Sequence, residues 1–124
     1  MIKNKVTVSV VSKFIPEISK IEDAMYYYLY EVCIQNKSKK NVKLISRHWN
    51  IVDGDGHFRE IEGEGVVGKT PTIKPGMKYK YKSYCPLKTE FGSMSGYYTM
   101  KDEEGDVFKV NIPEFPLVLK NIIN

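Results

Sequence analysis

Apolar and polar residues alternate along this chain with a period of two, in runs of about ten residues separated by turn signals. Val6, Val8 and Val10 share one face, Thr7 and Ser9 the other. Tyr26, Tyr28, Tyr30, Val32 and Ile34 line one face of a stretch from Met25 to Asn36. Ile45, Trp49 and Ile51 form an inward set between Val42 and Asp53. Met77, Tyr79 and Tyr81 oppose Lys78, Lys80 and Lys82, and Met94, Tyr98 and Met100 keep one phase between Gly92 and Asp102. A strand with this pattern buries one face and wets the other. A helix needs apolar residues three and four apart, and no segment supplies a convincing set.

The breaks between runs carry turn chemistry. Pro16 to Ala24 reads as a charged loop and Asn36 to Asn41 as a Lys-rich turn. Asp53-Gly54-Asp55-Gly56 is a hairpin signal, because Asp and Gly tolerate positive φ. Gly63 to Gly68 and Pro71 to Gly76 read as irregular. Pro86 is expected to end one strand and Pro113 to close the sheet. Seven or eight strands result, so the fold class is all-β: a sandwich of two antiparallel sheets with Trp49 as a pin between them. One domain spans 1–124, with its core over about 5–117 and a short apolar tail over 118–124.

Charge excludes some classes. The net charge of +4 comes from 19 basic and 15 acidic side chains, and the basic set is nearly all Lys. Arg47 and Arg59 are the two planar forks, which argues against a dedicated nucleic-acid reader. No signal-peptide core opens the sequence, and no apolar run reaches the ~20 residues that span a bilayer. The expectation is a cytoplasmic protein with no membrane contact, Cys33 and Cys85 being reduced.

Gly63-x-Gly65-x-x-Gly68 matches a dinucleotide-binding fingerprint by letter. That motif needs a helix after it to meet the pyrophosphate, and Val66-Val67-Gly68 leads into Pro71 instead. A nest of backbone N–H groups is the surviving anion reading. If the hairpin turns about Asp55-Gly56, Val52 pairs with Arg59, His48 falls opposite Gly63, and Arg47 lies near Glu64. The candidate anion-binding set is then Gly63, Gly65, Gly68, Arg47, His48 and Lys69. The competing reading makes the glycines a bulge or tight crossing. Arg47 shares a phase with Trp49, so it points coreward and calls for Glu62 or Glu64 as partner. His48 and His57 lie about 20 Å apart along such a sheet and cannot clamp a metal. Asp53 to Gly56 lacks the remaining ligands of a calcium loop. No nucleophile motif is present, so no catalytic residue is assigned. The Lys78, Lys80, Lys82 stripe reads as protection of an edge strand.

Taken in order, several short strings resemble the ApaG family. They are Arg47-His48-Trp49-x-Ile51-x-Asp53, the Gly63 to Gly68 run, Pro71 and Pro75-Gly76. With them go Tyr81-x-Ser83-x-Cys85-Pro86-Leu87, Gly92-Ser93-Met94-x-Gly96, Asp102-Glu103-x-Gly105 and Ile112-Pro113-x-Phe115. The resemblance covers nearly the whole chain. It implies an immunoglobulin-like or fibronectin type III-like sandwich. It also implies an association with cobalt and magnesium efflux or resistance in bacteria, and protein–protein recognition by analogy with similar domains in eukaryotic F-box and polymerase-interacting proteins. The family's glycine run implies a pyrophosphate site. Tyr84 stands where Gly is usual, and the tail after Leu117 is longer.

The leading reading is a non-enzymatic binding module for an unidentified protein partner, without cofactor, as monomer or homodimer. The second is a binder of a phosphate-containing small molecule or nucleotide at Gly63 to Gly68. Hydrolysis of a phosphorylated compound ranks last.

Overall fold

In the computed structural model, which describes residues 2–119, eight strands form two antiparallel sheets packed face to face. They are β1 (Val6–Phe14), β2 (Tyr26–Asn36), β3 (Val42–Asp53), β4 (Phe58–Glu64), β5 (Thr72–Ile73), β6 (Lys78–Leu87), β7 (Gly92–Asp102) and β8 (Val107–Leu117). The smaller sheet has the order β1-β2-β6. The larger has the order β4-β3-β7-β8, with β5 also paired to β3. The sandwich read from the alternation is therefore present. Residues 120–124 of the expected tail lie outside the described residues, while Leu117 is fully buried.

The core is the inward phase of each strand. Tyr28, Val32, Ile34, Trp49, Ile51, Met94, Tyr98 and Met100 interleave between the sheets. Burying each such side chain contributes roughly 1.5–3 kcal/mol. Trp49, only 2% exposed, is the expected pin. The rings of Tyr30, Tyr98 and Phe115 meet it edge-on at 5.3, 6.3 and 5.9 Å, and aromatic pairs of this kind add about 0.5–1.5 kcal/mol apiece. The indole N–H has no oxygen or nitrogen partner among the described residues.

One side of the sandwich is sealed: β1 packs on β8, and Ser12 Oγ donates to the Pro116 carbonyl at 2.7 Å. The opposite side, between β4 and β6, is open along much of its length. There Arg59 donates across the gap to the Pro86 carbonyl.

Several sequence expectations are corrected. Pro86 and Pro113 do not end their strands. Both sit in strands at sheet edges, β6 and β8, where a missing N–H deprives no outer neighbour. The Pro16 to Ala24 loop winds into two short 3-10 turns, and Pro71 to Gly76 holds the two-residue β5. The β3–β4 register differs by one residue. Val52 pairs with Phe58, His48 with Glu62 and Arg47 with Gly63. The hairpin is a three-residue loop: Gly56 N–H donates to the Asp53 carbonyl, and Gly56 adopts φ +82 before His57 rejoins the ladder. The Asp53 carboxylate takes the N–H groups of Asp55 and His57 at 2.9 Å each. Burial would raise its pKa, but these bonds and His57 outweigh it and hold the carboxyl below its ordinary value. Asp102 repeats the device, accepting from Glu104 and Asp106.

Ile45 is not an inward residue of the Trp49 set. A bulge between Leu44 and Ser46 inserts it as an extra residue. Val42 and Leu44 therefore face the core in even phase, while Trp49 and Ile51 face it in odd phase.

Gly96, opposite Trp49, tests the fit of β7 against β3. An added Cβ there would stand 1.9 Å from the His48 carbonyl oxygen, a backbone atom of the adjoining strand. Gly96→Ala is expected to cost about 3 kcal/mol or more, seen as a fall in Tm on the order of 10 °C. Gly56→Ala meets open space and is expected to cost about 1 kcal/mol in backbone strain alone. Equal losses in calorimetric melts would refute the close approach.

Candidate recognition face

The Ile45 bulge organises the region the sequence singled out. Its carbonyl accepts the Gly65 N–H at 2.8 Å, anchoring the glycine run to β3. Gly63 lies in β4. The four residues Val66 to Lys69 form a tight reversal in which Val66 and Lys69 exchange both backbone hydrogen bonds. Its central residues Val67 and Gly68 both have positive φ, at 47° and 76°, the geometry of a type I′ turn. Gly65 is required by space: an added Cβ would sit 2.2 Å from the Lys69 carbonyl oxygen. Of the N–H groups from Gly65 to Lys69, those of Gly65, Val66 and Lys69 are spent inside the fold. Val66 is fully buried and belongs to the core.

Arg47 points coreward, as its phase required, but its partners are not carboxylates. It donates to the Glu64 and Gly65 carbonyls at 3.0 and 2.9 Å, and its guanidinium rests over Gly63. The charge also faces a buried polar seam. Tyr81 and Tyr98 share a short hydroxyl–hydroxyl bond, and Tyr30 pairs with Ser83 across β2 and β6. Burial pushes the pKa of all three tyrosines up, and the Arg47 charge opposes that rise in part.

His48 has the opposite orientation, on the outer face of the larger sheet. Its ring stacks on Tyr97 at 4.7 Å with an interplanar angle of 9°, and Lys109 Nζ lies over Tyr97 at 4.5 Å. Nδ1 meets Glu62 Oε1 at 2.6 Å, and Nε2 meets Glu60 Oε2 at 3.0 Å and Asn50 Oδ1 at 3.1 Å. A neutral imidazole can donate from one nitrogen only, so this setting favours imidazolium. The hydrogen bond that His48 donates to the Glu62 carboxylate leads in raising the His48 pKa, over a smaller opposing effect of burial.

A shallow basin of about 470 Å³ lies here, lined by Ser46, Arg47, His48, Glu62, Gly63, Tyr97 and Thr99. Arg47, His48 and Gly63 are thus neighbours at the basin, but the Arg47 guanidinium and the His48 ring lie on opposite faces of the sheet. Gly65, Gly68 and Lys69 sit outside the basin, on the turn. Sequence reasoning missed Tyr97, Asn50, Glu60 and Lys109. The outward phase of β7, with Ser93, Ser95, Tyr97 and Thr99 in place of long charged side chains, was the available signal. Among the described residues, no group of three or more His, Cys, Asp or Glu side chains is placed to hold a metal ion. No helix of the described residues is long and apolar enough to cross a membrane. The Cys85 thiol is buried, which pushes its pKa up to about 11.

The cluster predicts a pH signature. The folded chain holds the His48 proton more tightly than the unfolded chain does. Its contribution to stability is therefore present below the unfolded imidazole pKa and is lost as pH rises through the elevated folded value. An NMR titration is expected to place His48 above the ordinary value of about 6.5, and Glu62→Gln to lower it. A wild-type midpoint at or below that value would contradict the pairing.

The ApaG domain pattern matches residues 16–102. The protein ApaG of Beijerinckia indica is 41% identical over 116 residues, covering 94% of this chain and 89% of that one. The protein ApaG of Methylocella silvestris is 45% identical over 112 residues, covering 90% and 86%. Among solved structures, a structural-genomics target determined by X-ray crystallography superposes with a TM-score of 0.92 at 38% identity, covering 99% and 93%. The putative ApaA protein of Bordetella pertussis gives 0.89 at 41% identity, covering 92% and 93%. With the matched pattern spanning most of the sandwich and the fold shared along its length, this chain belongs to the ApaG family.

Proposed function

We propose that this chain is a non-enzymatic, cytoplasmic protein-binding module that recognises its partner through the outer face of the larger sheet. The observation that carries this reading is the composition of that face. Along their middle, its two central strands present Ser46, His48, Asn50, Ser93, Ser95, Tyr97 and Thr99 outward, all partly covered by their neighbours, with the exposed pair Lys43 and Lys101 at one end. Short polar side chains around a stacked aromatic lose little entropy on binding and hydrogen-bond adaptably, which is the composition of an antibody combining surface. A sheet face that only met water would more often carry Lys and Glu, as β4 does with Glu60, Glu62 and Glu64. The sheet order β1-β2-β6 against β4-β3-β7-β8 supports the immunoglobulin-like, fibronectin type III-like class. The tie to cobalt and magnesium homeostasis is carried by the family resemblance.

Affinity capture from native lysate tests the reading. The wild-type domain is expected to retain a protein at stoichiometric yield, and Tyr97→Ala, with its Tm preserved, to lose it at least about tenfold, or 1.4 kcal/mol. Retention of nothing stoichiometric, or equal retention by both, would sink it.

A second reading keeps the glycine turn as a site for a phosphate-containing small molecule. In its favour, the Val67 and Gly68 N–H groups are not consumed by the turn's two bonds, and Lys69 stands exposed beside them. Calorimetry with pyrophosphate is then expected to give a saturable heat that Lys69→Ala weakens. Absence of heat at millimolar ligand removes this reading.

A further inference from the structure

The open side of the sandwich carries two unpaired strand edges, β4 and β6, one from each sheet. Their outward faces bear opposite charge. β4 presents Phe58, Glu60, Glu62 and Glu64, all exposed. β6 presents Lys78, Lys80, Lys82 and Tyr84, also exposed. Unpaired edges with exposed apolar residues are templates for strand addition. Phe58 is 58% exposed, Tyr84 57% and Ile61 39%.

We propose that this side is a two-fold interface at which a second copy of the chain pairs β6 with β4 and β4 with β6. The geometry points to this occupant. Val6 to Val8 lie beside Lys109 to Asn111 and Ser12 bonds Pro116, so β1 runs parallel to β8; with β2 antiparallel to β1, β7 to β8 and β3 to β7, β3 runs opposite to β2. β4 is antiparallel to β3 and β6 to β2, so β4 and β6 of one chain are antiparallel to each other. Trp49 packs on Tyr30 between the sheets at 5.3 Å, and the ladders pair Trp49 with Ile61 and Tyr30 with Ser83, which sets Ile61 level with Ser83. Counting along both strands places Phe58 level with Pro86, Glu60 with Tyr84, Glu62 with Lys82 and Glu64 with Lys80.

A two-fold axis parallel to the strands preserves these levels. It carries the partner's β6 alongside β4 in antiparallel orientation, with both outward faces on the same side. Each junction then aligns an apolar pair and two Glu–Lys pairs, and the operation supplies two junctions at once. An axis perpendicular to the sheets would instead set glutamates beside glutamates and lysines beside lysines, which is repulsive. The interface is isologous and closed, so it makes a dimer and not a filament.

Light scattering after size exclusion, over a dilution series from submillimolar to micromolar, tests the proposal on the full chain. The wild type is expected at the mass of two chains. Lys80→Glu/Lys82→Glu and Glu62→Lys/Glu64→Lys are each expected to weaken dimerisation at least about tenfold, equivalent to 1.4 kcal/mol. Mixing the two variants is expected to restore a heterodimer, because every junction again pairs opposite charges. Circular dichroism of each variant separates loss of pairing from loss of fold. A wild type that stays monomeric across the series, a dimer indifferent to both reversals, or folded variants that fail to combine would each overturn it.

Discussion

β3 has to face the core in two different phases, and one extra residue makes that possible. With Ile45 bulged out of the ladder, Val42 and Leu44 point inward in even register and Trp49 and Ile51 in odd register. Without it, an unbroken alternation would turn either pair to the outside. The bulge also sets what lies beyond it. Arg47 is turned inward against the tyrosine seam and His48 outward onto Tyr97, while the carbonyl of the bulged residue ties down Gly65. The core, the glycine turn and the outer face are thus three outcomes of one insertion.

Arg47 illustrates how a half-buried charge is held without a counter-ion. Its two hydrogen bonds go to main-chain carbonyls, and β4 gives it a glycine to lie against. Carbonyl dipoles satisfy the donors at less desolvation cost than burying a carboxylate as well. The charge is left facing the hydroxyls of Tyr30, Tyr81 and Tyr98. A buried polar network of this kind is costly when any member is missing, so it favours one arrangement of the two sheets over its neighbours.

Much of the fold was readable because period-two alternation is a local signal. Tyr26 to Ile34 and Met94 to Met100 faced as their spacing required, and the Lys stripe of β6 fell outward. Three things were not local. The bulge at Ile45 leaves no mark in residue type. The hairpin register depended on a loop one residue longer than assumed, and that moved His48 from Gly63 to Glu62. The proline stops failed because whether a proline breaks a ladder depends on whether the strand has an outer neighbour, which is a property of the sheet. Of the candidate site, Arg47, His48 and Gly63 are neighbours because β3 and β4 are adjacent in sequence, though the first two side chains point to opposite faces. Tyr97 and Lys109 reach the same place from β7 and β8, across long stretches of chain, and their outward alternation gave no sign of which neighbours they would meet.

The seal between β1 and β8 has a kinetic consequence. Ser12 bonds the carbonyl of Pro116, a contact between the earliest strand of the sandwich and the latest. A ribosome delivers those two strands far apart in time, and the hydrophobic layer cannot be shut until the later one has left the exit tunnel. The half-made sheets must wait with one flank uncovered, so the strand that arrives last decides when the protein becomes safe from its neighbours.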